Sequence, residues 1–286
     1  MRAYVIRRVL LLIPTVLIAS LIIFLMIRFI PGSIVDLMVA QMAESGGMGA
    51  ELADRASIEQ ALGLDVSIPV QYGRWIGVVP GEDDSFSGIF QGNLGDSLWR
   101  GTPVLEDIAT RWPVTLELGL LALIVAQIIA LPIGIYSALR QDTWGDYIGR
   151  SFAIFCIAVP GFWLGTMVIV FPSIWWGWSP SIVPISFLED PIGNLKMFIL
   201  PAIVLGMAMS GMTMRMTRTM MLEVLRQDYI RTAWAKGLRE RVVIIRHALK
   251  NALIPVVTTI GYQVPIMVGG AVIIEQIFCL PGMGRL

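Results

Sequence analysis

The chain has 286 residues, 56 % hydrophobic and 15 % charged, with 21 basic side chains against 21 acidic ones. Soluble proteins run nearer to about 45–50 % apolar and about 25 % charged, so a water-soluble domain pair of this length is excluded. The charge balance is uneven along the chain and informs topology rather than partners, and Cys156 and Cys279 are too few for a disulfide framework and read as small buried hydrophobes.

Arg2, Arg7 and Arg8 precede an apolar run from Val9 to Ile30. At ~1.5 Å per residue this run is about 33 Å long, enough to cross a bilayer. It is too long for a signal-peptide core and no small-x-small cleavage site follows promptly, so it reads as an uncleaved first span starting inside. Residues 31–112 are polar, rich in Asp and Glu and without lysine, which places them outside. Within them Ala56–Leu64 is an expected helix, with Ser57 as N-cap and Gly63 near its end. Ser45-Gly46-Gly47 and Pro80-Gly81-Glu82-Asp83-Asp84 read as turns. The segment either caps a pore and contacts a delivering protein or is a solvated insertion.

A second span is expected over Val114–Leu139, kinked near Pro132 and Gly134. A short inner loop, Arg140–Arg150, leads to a third span, Ser151–Trp175, broken at Pro160-Gly161. Gly161 and Gly165 make a small-xxx-small pair suited to close helix packing. Trp175, Trp176 and Trp178 form an outer aromatic belt. After an outer loop, Pro180–Leu195, a fourth span covers Lys196–Met216. Its methionines 207, 209, 212, 214 and 216 suit adaptable helix contacts or a pathway lining.

Residues Glu223–Pro255 form a polar island between spans. Arg226, Arg231, Lys236, Arg239, Arg241, Arg246 and Lys250 face only Glu223, Asp228 and Glu240 there, which places the island inside. Leu222, Leu225, Tyr229 and Ala233 make one semi-apolar stripe, and Val242, Ile245, Ala248 and Leu249 another, so two short helices are expected, joined at Gly237. A helix pair with an apolar ridge and basic flanks is a protein docking surface. The same pattern also fits an amphipathic loop resting on anionic lipid. A fifth span, Ala252–Ile277, carries Pro255, Gly261, Pro265, Gly269 and Gly270, and is expected to be broken and to line a pathway. Glu275 is expected at the outer interface. The candidate helix breaks along the pathway are therefore Pro160, Gly161, Gly165, Gly261, Pro265, Gly269 and Gly270. The parts are 1–30, an inner terminus and span; 31–112, an external segment; and 113–286, a helical core with its inner loop at 220–250. The fold class is an all-α polytopic membrane bundle.

No phosphate loop is present, and the only lysines are Lys196, Lys236 and Lys250. His247 is the only histidine and lies among basic residues, so no metal cluster or Ser-His-Asp set can be assembled around it. No metal or cofactor site is expected. Ionisable groups are scarce at the span centres, which disfavours a proton- or sodium-coupled carrier, though carbonyl-built sodium sites stay open. A scaffold that recruits an inner partner is the reading from another class; it has no need of broken helices.

The island resembles the cytoplasmic coupling loop of ABC importer permeases, patterned Glu-Ala-Ala, three residues, Gly, nine residues, Ile-x-Leu-Pro. Aligned on Gly237, the first three positions are Arg231, Thr232 and Ala233, and the last four are His247, Ala248, Leu249 and Lys250. The Gly, one Ala and the Leu match; the Glu and the Pro do not. The variant from Tyr229 to Leu238, followed by Arg246 to Pro255, is similar to the dipeptide/oligopeptide/nickel branch. Further matching stretches are Tyr4-Val5-Ile6-Arg7-Arg8, Gly92-Asn93-Leu94-Gly95-Asp96-Ser97, Pro113-Val114-Thr115-Leu116-Glu117-Leu118 and Pro281-Gly282-Met283-Gly284-Arg285-Leu286. The resemblance implies a six-span fold, of which five are visible, so the sequence reads as truncated. It implies an ATP-driven importer of di- or oligopeptides, with nickel or glutathione as alternatives, in the plasma (inner) membrane of a prokaryote. Implied partners are a homologous second permease subunit, two cytoplasmic ATPase subunits that bind ATP and Mg, and an external binding protein; no nucleic acid is implied. The implied ATPase-coupling residues are Tyr229, Arg231, Thr232, Ala233, Lys236, Gly237, Leu238, His247, Ala248 and Leu249.

Overall fold

The structure, a computed structural model, describes residues 2–29, 63–81, 84–97, 100–180 and 185–286. The chain divides into two compact units, Met1–Leu105 and Glu106–Leu286. Among the described residues there is no β-strand, only an isolated bridge between Asp96 and Pro103. Among the described residues four helices are long and apolar enough to cross a membrane, or five if one bent pair is counted as a single span.

In the first unit, α1 (Arg2–Phe29) exposes its apolar side chains nearly all round. Its one buried residue, Phe24, packs on Tyr72 and Trp75 of α2 (Ile68–Ile76), with ring centroids 5.4 and 5.8 Å away. The Ser20 and Tyr72 hydroxyls lie 2.9 Å apart, and the Arg28 guanidinium sits 5.3 Å over the Phe24 ring. The stretch from Gly92 to Ser97 is a turn. Asn93 Oδ1 accepts the Gly95 N–H at 2.8 Å, and the Gly95 carbonyl accepts the N–H of Val104 at 3.0 Å. The turn thus fixes the start of α3 (Val104–Leu139). Gly81 closes a turn by donating to the Ser85 carbonyl at 2.8 Å. The turn expected at Ser45-Gly46-Gly47 and the helix expected over Ala56–Leu64, except for Gly63 and Leu64, lie outside the described residues, as do Glu82 and Asp83.

The second unit is a helical bundle, and several of its boundaries correct the sequence expectations. α3 starts well before Val114 and stays helical through Pro113 and Pro132. The third span is two helices, α4 (Trp144–Ala158) and α5 (Gly161–Trp176), bent by 95°. Pro160 supplies no N–H and pushes Val159 into extended backbone (ψ 121°), so the chain turns there. The polar residues expected to form an inner loop mostly start α4. The fourth span, α6 (Pro191–Leu225), is far longer than Lys196–Met216. Asp190 caps it by accepting from the amides of Ile192 and Gly193, Pro191 opens its first turn, and Arg218 continues it because Asp146 neutralises its charge. A turn at Arg226 and Gln227 then separates α6 from α7 (Asp228–Ala235), so Leu222 and Leu225 do not share a helix with Tyr229 and Ala233.

The last long helix, α8 (Glu240–Phe278), runs without interruption from the polar island through the fifth span. The expected break at its Gly and Pro residues is absent. Its irregularity comes earlier, as a π-helical stretch at Val243–Leu249. The buried pair Val243 and Ala248 lie five positions apart, whereas Ala248, Ala252 and Val256 follow at steps of four. The wider π turn shifts the buried face, leaving the predicted stripe residues Val242 and Ile245 exposed.

Close approach organises the bundle around α6. A Cβ on Gly206 would lie 2.7 Å from the Ala122 carbonyl oxygen of α3, and one on Gly211 would lie 2.7 Å from that of Ala153 in α4. Small residues permit such backbone crossings between apolar helices. On α3 every fourth residue from Leu118 is buried: Ala122, Ala126, Ala130, Gly134 and Ala138. Gly206→Leu is expected to push α3 and α6 apart and to cost about 1–3 kcal/mol. Thermal unfolding of the detergent-solubilised subunit checks this, and an unchanged midpoint would contradict the crossing.

Candidate functional site

At one end of the bundle α7 lies across the ends of α3, α6 and α8. Ile230 and Ala233 point inward, into a cluster with Ala138, Met221, Val243, Ala248 and Ala252. Ile230, Met221, Val243 and Ala248 are fully buried. Burying a side chain of the size of Ile or Met contributes about 1.5–3 kcal/mol each, so this short helix is held by packing. The helix ends in a left-handed turn: Gly237 has φ +75°, its N–H reaches the Trp234 carbonyl at 2.9 Å, and the Leu238 N–H reaches that of Ala233 at 3.4 Å. Nothing lies within 4 Å of a Cβ built on Gly237, so the turn faces open space.

The outward side of this end carries Trp234, Leu238, Val242 and Ile245, each at least 37 % exposed. Arg231, Lys236, Arg239, Arg241 and Arg246 are exposed beside them. Arg231 pairs with Asp228 at 3.6 Å, but the pair is open to solvent and contributes little. An apolar crest with a charged rim is the anatomy of a protein interface. The sequence-predicted residues divide accordingly. Arg231, Thr232, Lys236, Gly237 and Leu238 are exposed; Ala233 and Ala248 are packed inside, and Leu249 is half-buried. Tyr229 and His247 come together: the Tyr229 hydroxyl donates to the His247 carbonyl at 3.5 Å and accepts from Asn251 at 2.7 Å. Trp234 and Ile230 are not marked by the sequence reading, and Ile245, expected in the packed stripe, is exposed instead. The three-residue spacing of Ile230 and Ala233 is the signal that points to the first buried anchor.

A second feature lies along α6 and α8. A cavity of about 450 Å³ is walled by Phe162, Met209, Met212, Tyr262, Gln263 and Met267, among others. Gly161 and Gly270 line it. Gly261 and Gly269 face open space, and Pro160 and Pro265 are exposed. Gly165 instead packs against Ile277 and Phe278, with no matching contact at Gly161. Of the five methionines, Met212 is exposed to the cavity mouth while Met209 and Met214 are buried. Gln263, unmarked in the sequence reading, is buried and donates to the Met209 carbonyl at 3.0 Å and the Thr213 hydroxyl at 3.2 Å, tying α8 to α6.

Two buried charged knots close the ends of the bundle. Asp146, fully buried, receives both Nε and Nη2 of Arg218 at 2.7 and 2.6 Å. Glu275 is not at an interface as expected from sequence: it is fully buried. Its Oε1 accepts the Thr115 hydroxyl at 2.6 Å and its Oε2 accepts the Gly284 N–H at 2.7 Å. Thr115 in turn accepts the N–H of Met283 at 2.9 Å. The stretches Pro113–Leu118 and Pro281–Leu286 therefore meet on one carboxylate. Cys156 is buried, but Cys279 is half-exposed at a left-handed position (φ +55°) that ends α8, and is no core thiol.

Residues 130–286 match the family model described as binding-protein-dependent transport system inner membrane component. Residues 1–119 match the model for the N-terminal part of such membrane components. Over 291 aligned residues the chain is 40 % identical to the oligopeptide transport system permease protein AppB of Bacillus subtilis (strain 168), covering 100 % of this chain and 86 % of that one. A Brucella suis biovar 1 protein with the provisional name peptide transport system permease protein is 39 % identical over 286 residues, 100 % of this chain and 86 % of its own. The glutathione transport system permease protein GsiC of Pectobacterium atrosepticum is 36 % identical over 283 residues, 99 % of this chain and 84 % of its own.

Proposed function

Because the chain belongs to the family of binding-protein-dependent transport system inner membrane components, we propose that it forms half of the solute path of an ATP-driven importer for di- and oligopeptides. The exposed crest of α7 and early α8 is the seat of a cytoplasmic ATPase subunit. Arg2, Arg7 and Arg8 at the N-terminus and the basic excess of the 226–250 segment each fit a cytoplasmic location. ATP and Mg are bound by the two ATPase subunits, not by this chain. A homologous second permease subunit and an external binding protein complete the assembly.

One observation carries this reading. The helices that hold the crest, α6 and α8, are the ones that wall the cavity. A partner that shifts α7 therefore acts on the cavity walls directly. The similarity to AppB and to the Brucella protein favours peptides; that to GsiC supports glutathione as the second reading.

The test is uptake of radiolabelled di-, tri- and pentapeptides, glutathione and nickel by cells with and without the gene. Peptide uptake lost on deletion and restored by the intact gene is the expected result. Loss of glutathione or nickel uptake alone would replace the substrate assignment.

A further inference from the structure

We propose that Asp146 and Arg218 form a positioning link that carries displacement of α7 to the wall of the cavity, a role that rests on reading α7 as the docking element. The link begins at α7, where Ile230 and Ala233 pack on Met221 of α6. Arg218 lies three residues before Met221, about one helical turn. Its guanidinium grips Asp146 in the first turn of α4 through two parallel bonds of 2.7 and 2.6 Å. The same carboxylate also accepts the N–H of Asp142 at 3.1 Å, which anchors the turn leading into α4. At its other end α4 reaches the 95° bend at Val159 and Pro160. Ile157, Gly161 and Phe162, on both sides of that bend, line the cavity. A movement of α7 thus has a continuous path through α6, the ion pair and α4 to the bend.

The chemistry of the pair suits that task better than stabilisation. A fully buried carboxylate is costly to desolvate, and a well-packed apolar pair in its place is often as stable or more so. A two-pronged arginine–carboxylate contact has fixed geometry, whereas apolar side chains slide past one another. The pair therefore makes α4 follow α6 in translation and in rotation.

The test uses the complete transporter in proteoliposomes, with peptide uptake and ATP hydrolysis measured on the same sample. The variants are Asp146→Asn and the apolar double variant Asp146→Leu/Arg218→Met. The double variant is expected to assemble and to hydrolyse ATP within about twofold of wild type, while solute moved per ATP falls at least about tenfold, the size of a typical coupling term. A double variant that moves solute at the wild-type ratio overturns the proposal, and so does one that no longer assembles, because the pair would then serve packing alone. The Asp146→Asn variant is expected to lose coupling too; wild-type coupling in it overturns the proposal. A wild-type complex that takes up no peptide counts against the substrate assignment instead. In that event the link is read from spin labels at Ile148 in α4 and Asp228 in α7. An ATP-dependent distance change that the double variant abolishes supports the link, and one that it leaves unaltered overturns it.

Discussion

Replacing Gly237 by aspartate is expected to abolish solute uptake while leaving the subunit folded in the membrane. Gly237 has φ +75° and closes α7 through the hydrogen bonds of a left-handed turn. An L-residue there costs about 1–2 kcal/mol, and aspartate is among the residues that tolerate it best. Domains are stable by about 5–15 kcal/mol, so the fold survives. The new carboxylate meets no obstacle, since nothing lies within 4 Å of the added Cβ. It stands in the open between Lys236 and Arg239, on the face assigned to the ATPase. A misplaced charge at the heart of an interface costs about 2 kcal/mol or more, which is roughly thirtyfold in binding. Gly237→Asn keeps the turn without the charge and is expected to retain most uptake. Vesicle uptake normalised to subunit in the membrane measures both variants. Wild-type uptake in the aspartate variant would refute the docking face.

Glu275→Ala is expected to destabilise the subunit strongly. It leaves the Thr115 hydroxyl and the Gly284 N–H without their acceptor in a buried setting. Each orphaned donor costs about 1–3 kcal/mol, so the total is roughly 2–6 kcal/mol. In a chain of this size that lowers the unfolding midpoint by on the order of 5–10 °C. Glu275→Gln keeps an acceptor and is expected to fall between alanine and wild type. Gly282→Ala reaches the same knot from the other side, because its Cβ would collide with the Glu275 carboxylate. Thermal melts in detergent, with protease protection of residues 279–286, measure the effect. A midpoint unchanged in Glu275→Ala would show that the knot holds nothing.

The spans were legible because hydrophobic runs report burial in lipid directly, but their ends were not. Asp146 lies in the expected inner loop and Arg218 just past the expected end of the fourth span, yet both are helical, since each neutralises the other across a gap in sequence of more than seventy positions. Periodicity placed Gly237 at a turn, yet it misassigned Val242 and Ile245 because a π-helical stretch has a wider turn than the rule assumes. Gly261 and Pro265 read as a break, but α8 stays helical through both. The real bend, at Pro160, was marked by the same residue types. The difference is that Val159 gives up helical backbone there. The i, i+4 run of small residues from Ala122 to Ala138 is a further signal in the sequence, because it records where α3 meets its neighbours. Of the candidate site, the exposed half was readable from charge. The buried anchors Ile230 and Gln263 depend on which helices lie beside them, which no local pattern contains.

The proposed coupling of cytoplasmic ATPases to a membrane path runs through this chain. It is tested most directly by gentle purification of the tagged protein from its native membrane, with mass spectrometry of what accompanies it. The expected result is two ATPase subunits and a second permease with the wild-type chain, and loss of the ATPases with Gly237→Asp. A chain that purifies alone, or with unrelated cytoplasmic proteins, would contradict the account.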